Sequence, residues 1–129
     1  MLAAQVVAGW EMDVERGPDW IFLRLRPTVS DQGTEDLALA NRIWSVLEQS
    51  FVYRLVLELD AVDHLHSTLI AQLVLLSKRI HLHGGLMRVC GLSPVNQQVI
   101  HVCRLDGCLP NYDSRADAVM GTHRPLQPR

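Results

Sequence analysis

The stretch that most constrains the fold is Tyr53 to Cys90. It opens with Tyr53-Arg-Leu-Val-Leu-Glu-Leu-Asp60, a short run rich in apolar residues on both faces. Such a run suits a strand buried inside a sheet with helices packed on it. A helical pattern follows from about Ser67 to His81, with Leu69, Ile70, Leu73, Val74, Ser77 and Ile80 as its inner stripe. Gly84-Gly85 ends it in the left-handed manner that only glycine adopts cheaply. Leu86 to Cys90 is then a second strand. Two strands joined through a helix pair in parallel by a right-handed crossover. The unit therefore dictates an α/β domain, and sites in such domains gather at the strand ends.

The flanking segments extend the pattern. Gln5 to Glu15 and Asp19 to Arg26 read as two strands with a turn at Gly17-Pro18. Arg24 and Arg26 alternate with Leu23 and Leu25 as one face of the second. Thr34 is placed to cap a helix, with Glu35 and Asp36 in its first turn and Leu37, Ala40, Ile43, Trp44 and Leu47 as its apolar face. Beyond Cys90, Ser93 caps and Pro94 opens a third helix, lined by Val95, Val99 and Val102. A short strand is expected near Cys108-Leu109, and a last helix from Ser114 to Met120, with Asp117 three residues after its capping serine. Gly121 to Arg129 reads as a flexible carboxy-terminal tail after a domain spanning residues 1–120. The expected order is β-β-α-β-α-β-α-β-α, a mixed sheet of about five strands with about four helices.

Composition limits what such a domain does. With 129 residues the chain is one domain, and 48% hydrophobic against 20% charged residues is ordinary for a globular fold. The net charge of −2 and the absence of basic runs argue against nucleic acid or an anionic membrane as partner. No window approaches 18 uncharged apolar residues, so no membrane insertion is expected. Met1 to Trp10 lacks the positive flank of a signal peptide. Cys90, Cys103 and Cys108 are odd in number and irregularly spaced, as for free thiols in a cytoplasmic protein. Cys90 and Cys103 are expected in the core.

Catalytic and metal chemistry find little support. No Gly-x-Ser-x-Gly turn or glycine-rich phosphate loop occurs, so no catalytic residue is assigned and no cofactor is implied. The pairs His64-x-His66 and His81-x-His83 suggest a metal. At about 1.5 Å of rise per residue, however, the helix holds His66 and His81 roughly 22 Å apart. The pairs cannot share an ion, and no metal ligand is assigned.

The segment from Val56 to Gly91 resembles the STAS domain of bacterial anti-sigma-factor antagonists, stressosome scaffolds and sulfate-transporter tails. Leu57-Glu58-Leu59 matches the family's strand, and Val62-Asp63-His64-Leu65-His66-Ser67-Thr68-Leu69 its Asp-Ser-Ser/Thr-Gly loop. His83-Gly84-Gly85-Leu86-Met87-Arg88-Val89 matches the turn and next strand, and Gly91-Leu92-Ser93-Pro94 the following helix start. Cys103-Arg104-Leu105-Asp106-Gly107 and Ala116-Asp117-Ala118 are similar to the later elements. The resemblance runs from about Trp10 to Met120. Three positions depart from the pattern: His66 replaces an aspartate, Leu69 a glycine, and Leu25-Arg26-Pro27 the family's Gly-Glu-Leu.

The resemblance implies a STAS-type fold and a regulatory protein that binds a partner, an anti-sigma factor or serine-kinase-like protein or other STAS-containing subunits. It implies Ser67 as phosphoacceptor, with Thr68 second, and Asp63, His64, His66, Ser67, Thr68 and Leu69 as the contact surface. Ser67 is expected at or near the N-cap of its helix, where a phosphate meets free amides and the helix dipole. Leu69 is expected to be partly exposed within the contact patch. Two other readings stay open: an unswitched scaffold subunit of a stressosome-like or transporter complex, and a small ligand-binding module or enzyme using the strand ends.

Overall fold

A computed structural model describes residues 2–7 as backbone, and residues 10–27 and 38–121 with their side chains. The elements are β1 (Leu2–Val7), β2 (Trp10–Arg16), β3 (Ile21–Pro27), α1 (Leu39–Ser50), β4 (Arg54–Glu58), α2 (Ser67–Leu82), β5 (Leu86–Cys90), α3 (Pro94–Val102), β6 (Asn111–Tyr112) and α4 (Arg115–Met120). They form one mixed sheet in the order β1-β2-β3-β4-β5-β6. The first three strands are antiparallel, and β3 to β6 are parallel.

The α/β class, the mixed sheet and the four helices agree with the sequence. The sheet has a sixth strand because the run read as one strand, Gln5 to Glu15, is a hairpin. Val7 pairs with Trp10 at its tight end. Apolar residues on both sides of the break, Val6 and Val7 before it and Trp10 after it, concealed it. The Gly17-Pro18 turn is present, with Gly17 N–H donating to the Trp20 carbonyl at 2.8 Å. Thr34, Glu35, Asp36 and Leu37 lie outside the described residues. Within them α1 begins at Leu39, and Ala38 precedes it without a side-chain cap. The amide of Ala40 is instead served from another helix, donating to Oε1 of buried Gln72 at 2.9 Å.

Alternation along the strands gives the sheet one fully buried face and a second that is buried around β4 and β5 and only half-buried on β2 and β3. Met12, Val14, Ile21, Leu23, Leu25, Leu55, Leu57, Leu59, Met87 and Val89 point to one side, into the main core with Ile43, Leu47, Leu73 and Ile100 of α1 to α3. Val56, Cys90 and Trp20 point to the other side, where they meet Ala118 of α4 and Tyr112. On that second face the sheet also carries a charged seam. Glu58, 5% exposed, accepts from Arg24 Nη2 at 2.8 Å and from Arg115 Nε and Nη2 at 3.0 and 2.6 Å. Arg115 reaches on to Glu15 at 3.0 Å and lies over the Phe22 ring. A carboxylate is tolerable at this depth because two guanidinium groups satisfy it. The seam holds α4 to the sheet.

Three local expectations are corrected. On α3 the valines Val95 and Val102 are exposed, and the inner positions are Asn96 and Ile100. The strand expected at Cys108-Leu109 is displaced to Asn111–Tyr112. Cys103 is exposed, not core, because α3 ends at Val102 and the chain turns outward there. Both serine caps are in place: Ser93 Oγ accepts from Asn96 N–H at 3.2 Å, and Ser114 Oγ from Asp117 N–H at 3.1 Å. Gly121, the first residue of the expected tail, closes α4 at a φ of 71°.

Candidate functional site

The chain leaves β4 through a turn, in which Val62 N–H donates to the Leu59 carbonyl at 3.1 Å. It then crosses the carboxyl end of the sheet to α2. Val62 and Leu65 are buried, while Asp63, His64, His66, Ser67 and Thr68 are exposed. Two apolar pegs thus hold a loop whose polar residues face solvent.

Asn96 locks this loop. It sits in the first turn of α3, fully buried. Its Oδ1 accepts from Leu65 N–H at 3.2 Å, and its Nδ2 donates to the Val62 carbonyl at 2.9 Å. Two backbone groups that would otherwise be buried without partners are satisfied by one amide. The placement of α3 is therefore transmitted directly to the backbone of residues 62–65. Sequence reasoning missed Asn96. The available signal was its spacing with Ile100, four residues on along the same helix face.

The start of α2 refines the reading of Ser67. The capping residue is His66, extended at φ −78° and ψ 158°, and no side chain caps the helix. The intrahelical ladder opens with Ile70 N–H donating to the His66 carbonyl at 2.9 Å. Ser67 is the first helical residue. Its exposed hydroxyl is not committed to capping, and it lies at the electropositive end of a 16-residue helix.

Leu69 is corrected. It is 0% exposed and belongs to the main core. The first turn of α2 points it inward above Leu73, so it is no part of any contact surface. The remaining residues, Asp63, His64, His66, Ser67 and Thr68, share one exposed ridge. His81 and His83 lie at the far end of α2. There the His83 ring packs on Tyr53, with centroids 4.2 Å apart, and on Trp44 at 5.2 Å. Among the described residues no group of three or more His, Cys, Asp or Glu could hold a metal ion. Among the described residues, too, no helix is long and apolar enough to cross a membrane.

Buried Cys90 lies behind the site. Burial, together with the charges of Glu58 and Asp60, pushes its thiol up to about 11. It packs against Val56 and Tyr112, and both its burial and its raised pKa disfavour the thiolate, the reactive form.

Comparison with known proteins agrees with this geometry. An anti-sigma factor antagonist from Mycobacterium paratuberculosis superposes with a TM-score of 0.68 at 23% identity, covering 94% of this chain and 93% of that one. An anti-sigma-factor antagonist (STAS) domain protein from Planctomyces limnophilus gives 0.70 at 23% identity, covering 85% and 96%. The Bacillus cell fate determinant SpoIIAA in its phosphorylated form gives 0.63 at 12% identity, covering 87% and 99%. No curated protein sequence matches the chain. The family model for the STAS domain matches residues 15–118. That match spans β3 to α4 with the loop and helix start described above, and the chain belongs to the STAS domain family.

Proposed function

We propose that the protein is a non-catalytic regulatory subunit of the anti-sigma-factor-antagonist kind, acting in the cytoplasm. Its contact surface is the ridge of Asp63, His64, His66, Ser67 and Thr68, and phosphorylation of Ser67 releases its partner, an anti-sigma factor with serine-kinase character. The observation that supports this reading is the state of Ser67. Its hydroxyl is exposed, free of capping duty and carried at the start of α2, directly after the loop that Asn96 holds in place. A phosphate there brings about −1.5 to −2 charges. The helix start tolerates that charge through its dipole and first-turn amides. A partner surface packed on the ridge does not, because an unpaired charge in a desolvated contact is costly. Folding and recognition are thus separable at this residue.

The test is to incubate the protein with the anti-sigma serine kinases of its host and map phosphate by mass spectrometry. Binding of Ser67→Asp to the same kinase is then measured. Phosphate on Ser67 is expected, with partner affinity lower by about 30-fold, as for loss of a central contact. The replacement of the family's aspartate by His66 favours the unswitched scaffold as second reading. Ser67→Asp binding as tightly as wild type would establish that reading instead.

A further inference from the structure

The other end of α2 carries a groove of about 570 Å³, about 15 Å along the helix from Ser67 at its nearest lining residue on that helix, Ser77. It follows the edge of the sheet beside β5. Along β5 the even-numbered residues turn their backbone groups toward β4: Leu86 N–H donates to the Tyr53 carbonyl at 3.0 Å, and the Cys90 carbonyl accepts from Leu59 N–H at 2.9 Å. The odd-numbered residues turn the other way, and Val89 N–H donates to the Pro110 carbonyl at 2.9 Å. β6 pairs only with Val89 and Cys90. Met87 therefore presents its N–H and C=O to an edge that β6 does not reach. In this register the residue that would donate to the Met87 carbonyl is Pro110, which has no N–H. The Cys108 carbonyl, which that register would set against Met87 N–H, turns instead to α2 and accepts from Ser77 Oγ at 2.8 Å. The groove opens where the ladder is interrupted.

Its walls have a definite character. On the α2 side stand Lys78, His81 and Leu82, with Leu82 87% exposed. On the other side of the sheet stand Arg88 and the ring of Tyr112, and Leu86 adds a 40% exposed apolar side chain at the lower end. No Asp or Glu is among the lining residues. An open strand edge with apolar walls and one sign of charge is the setting for strand addition.

We infer that this groove takes an extended acidic segment of a partner protein, which adds as a short strand beside Met87 and alternates carboxylate with apolar residues. The alternation follows from the period of a strand, which sends successive side chains to opposite faces of the sheet. One set meets Arg88 and Tyr112, and the other meets Leu82 and Lys78. Charge selects this occupant. The chain's own residues 122–129 carry His123, Arg124 and Arg129 and no acid, so they match the groove in sign. A second copy paired edge to edge about a two-fold axis would set the same cations against each other.

The test titrates the full chain with a blocked hexapeptide of alternating glutamate and valine, followed by amide chemical shifts. The matching lysine–valine peptide serves as control. Shifts are expected at Met87, Val89 and Leu82. Binding should weaken with salt, and Lys78→Glu combined with Leu82→Glu, both exposed, should weaken it roughly tenfold or more. Ser67→Asp should leave it unchanged, which separates this surface from the proposed switch. Four outcomes would overturn the inference. The peptide produces no shifts at millimolar concentration. The lysine peptide binds as well. The shifts fall on residues 63–68. The same shifts arise without peptide, on raising the protein concentration or on deleting residues 122–129, which would assign the edge to a second copy or to the chain itself.

Discussion

Replacing Asn96 by alanine removes a side chain that joins α3 to the loop carrying the exposed ridge. The amide accepts from Leu65 N–H and donates to the Val62 carbonyl, and all three residues are buried. After truncation both backbone groups are left without partners inside the protein. Each such group costs about 1–3 kcal/mol. Local opening of residues 62–66 admits water and relieves part of that, so the expected loss is about 2–4 kcal/mol. Urea unfolding followed by circular dichroism measures it. Hydrogen exchange at the Leu65 amide separates the two routes, because opening of the loop accelerates exchange there before the sheet responds. Asn96→Asp is the informative companion. A carboxylate can still accept from Leu65 but sets a negative oxygen against the Val62 carbonyl, so it should destabilise at least as much as alanine. Unchanged Leu65 exchange together with a loss below about 0.5 kcal/mol in Asn96→Ala would refute the idea that this amide holds the loop.

Other expectations are independent of the ridge. Gly84 has a φ of 80° with open space around it, whereas a Cβ on Gly85 would run into the Tyr53 carbonyl oxygen and lie 2.9 Å from Ile80 Cγ2. Gly84→Ala should therefore cost about 1–2 kcal/mol of backbone strain, and Gly85→Ala more, by steric overlap that shifts β4 against α2; equal losses in thermal unfolding would contradict this. Iodoacetamide should modify exposed Cys103 first and reach Cys90 only on unfolding, since Cys90 is buried with its thiol held up to about 11; peptide mapping of early Cys90 adducts would count against the packing described. The hydrogen bond from Arg26 holds the Asp13 carboxyl below its ordinary value. Its contribution is thus complete above the unfolded value of about 4 and is lost as pH falls through the lower folded one, so Asp13→Asn should flatten the acid limb of the stability profile.

The fold was legible wherever period and punctuation agreed. The Tyr53–Cys90 unit, the two glycines after α2 and the serine caps of α3 and α4 all carry signals that act over a few residues. The amino-terminal hairpin was not legible, because apolar residues stand on both sides of the point where the strand reverses, Val6 and Val7 before it and Trp10 after it. α3 was misread for another reason. Val95, Val99 and Val102 are the apolar choices, yet burial of Asn96 rotates the helix so that Val95 and Val102 face outward. A polar side chain wins an interior position only when the tertiary structure supplies its partners, and those lie 31 and 34 residues away. The same limit hid the seam of Glu58, Arg24 and Arg115, whose members come from three separate elements. The ridge itself was readable as a stretch of sequence. That Leu69 is a core residue and that His66, not Ser67, precedes the helix became visible only with the backbone in place.

The strand order bears on how the chain reaches this structure. Each strand of the sheet lies beside its predecessor in sequence, from β1 through β6. No strand has to be threaded between two that are already paired. A chain emerging from the ribosome can add β4 to a completed β1–β3 meander, then β5, each addition closing one crossover loop. The growing edge is always the carboxyl-terminal one, so an arrested chain exposes its most recent strand as a sticky margin until the next arrives. Pro110 and the two-residue β6 bring that sequential growth to a halt.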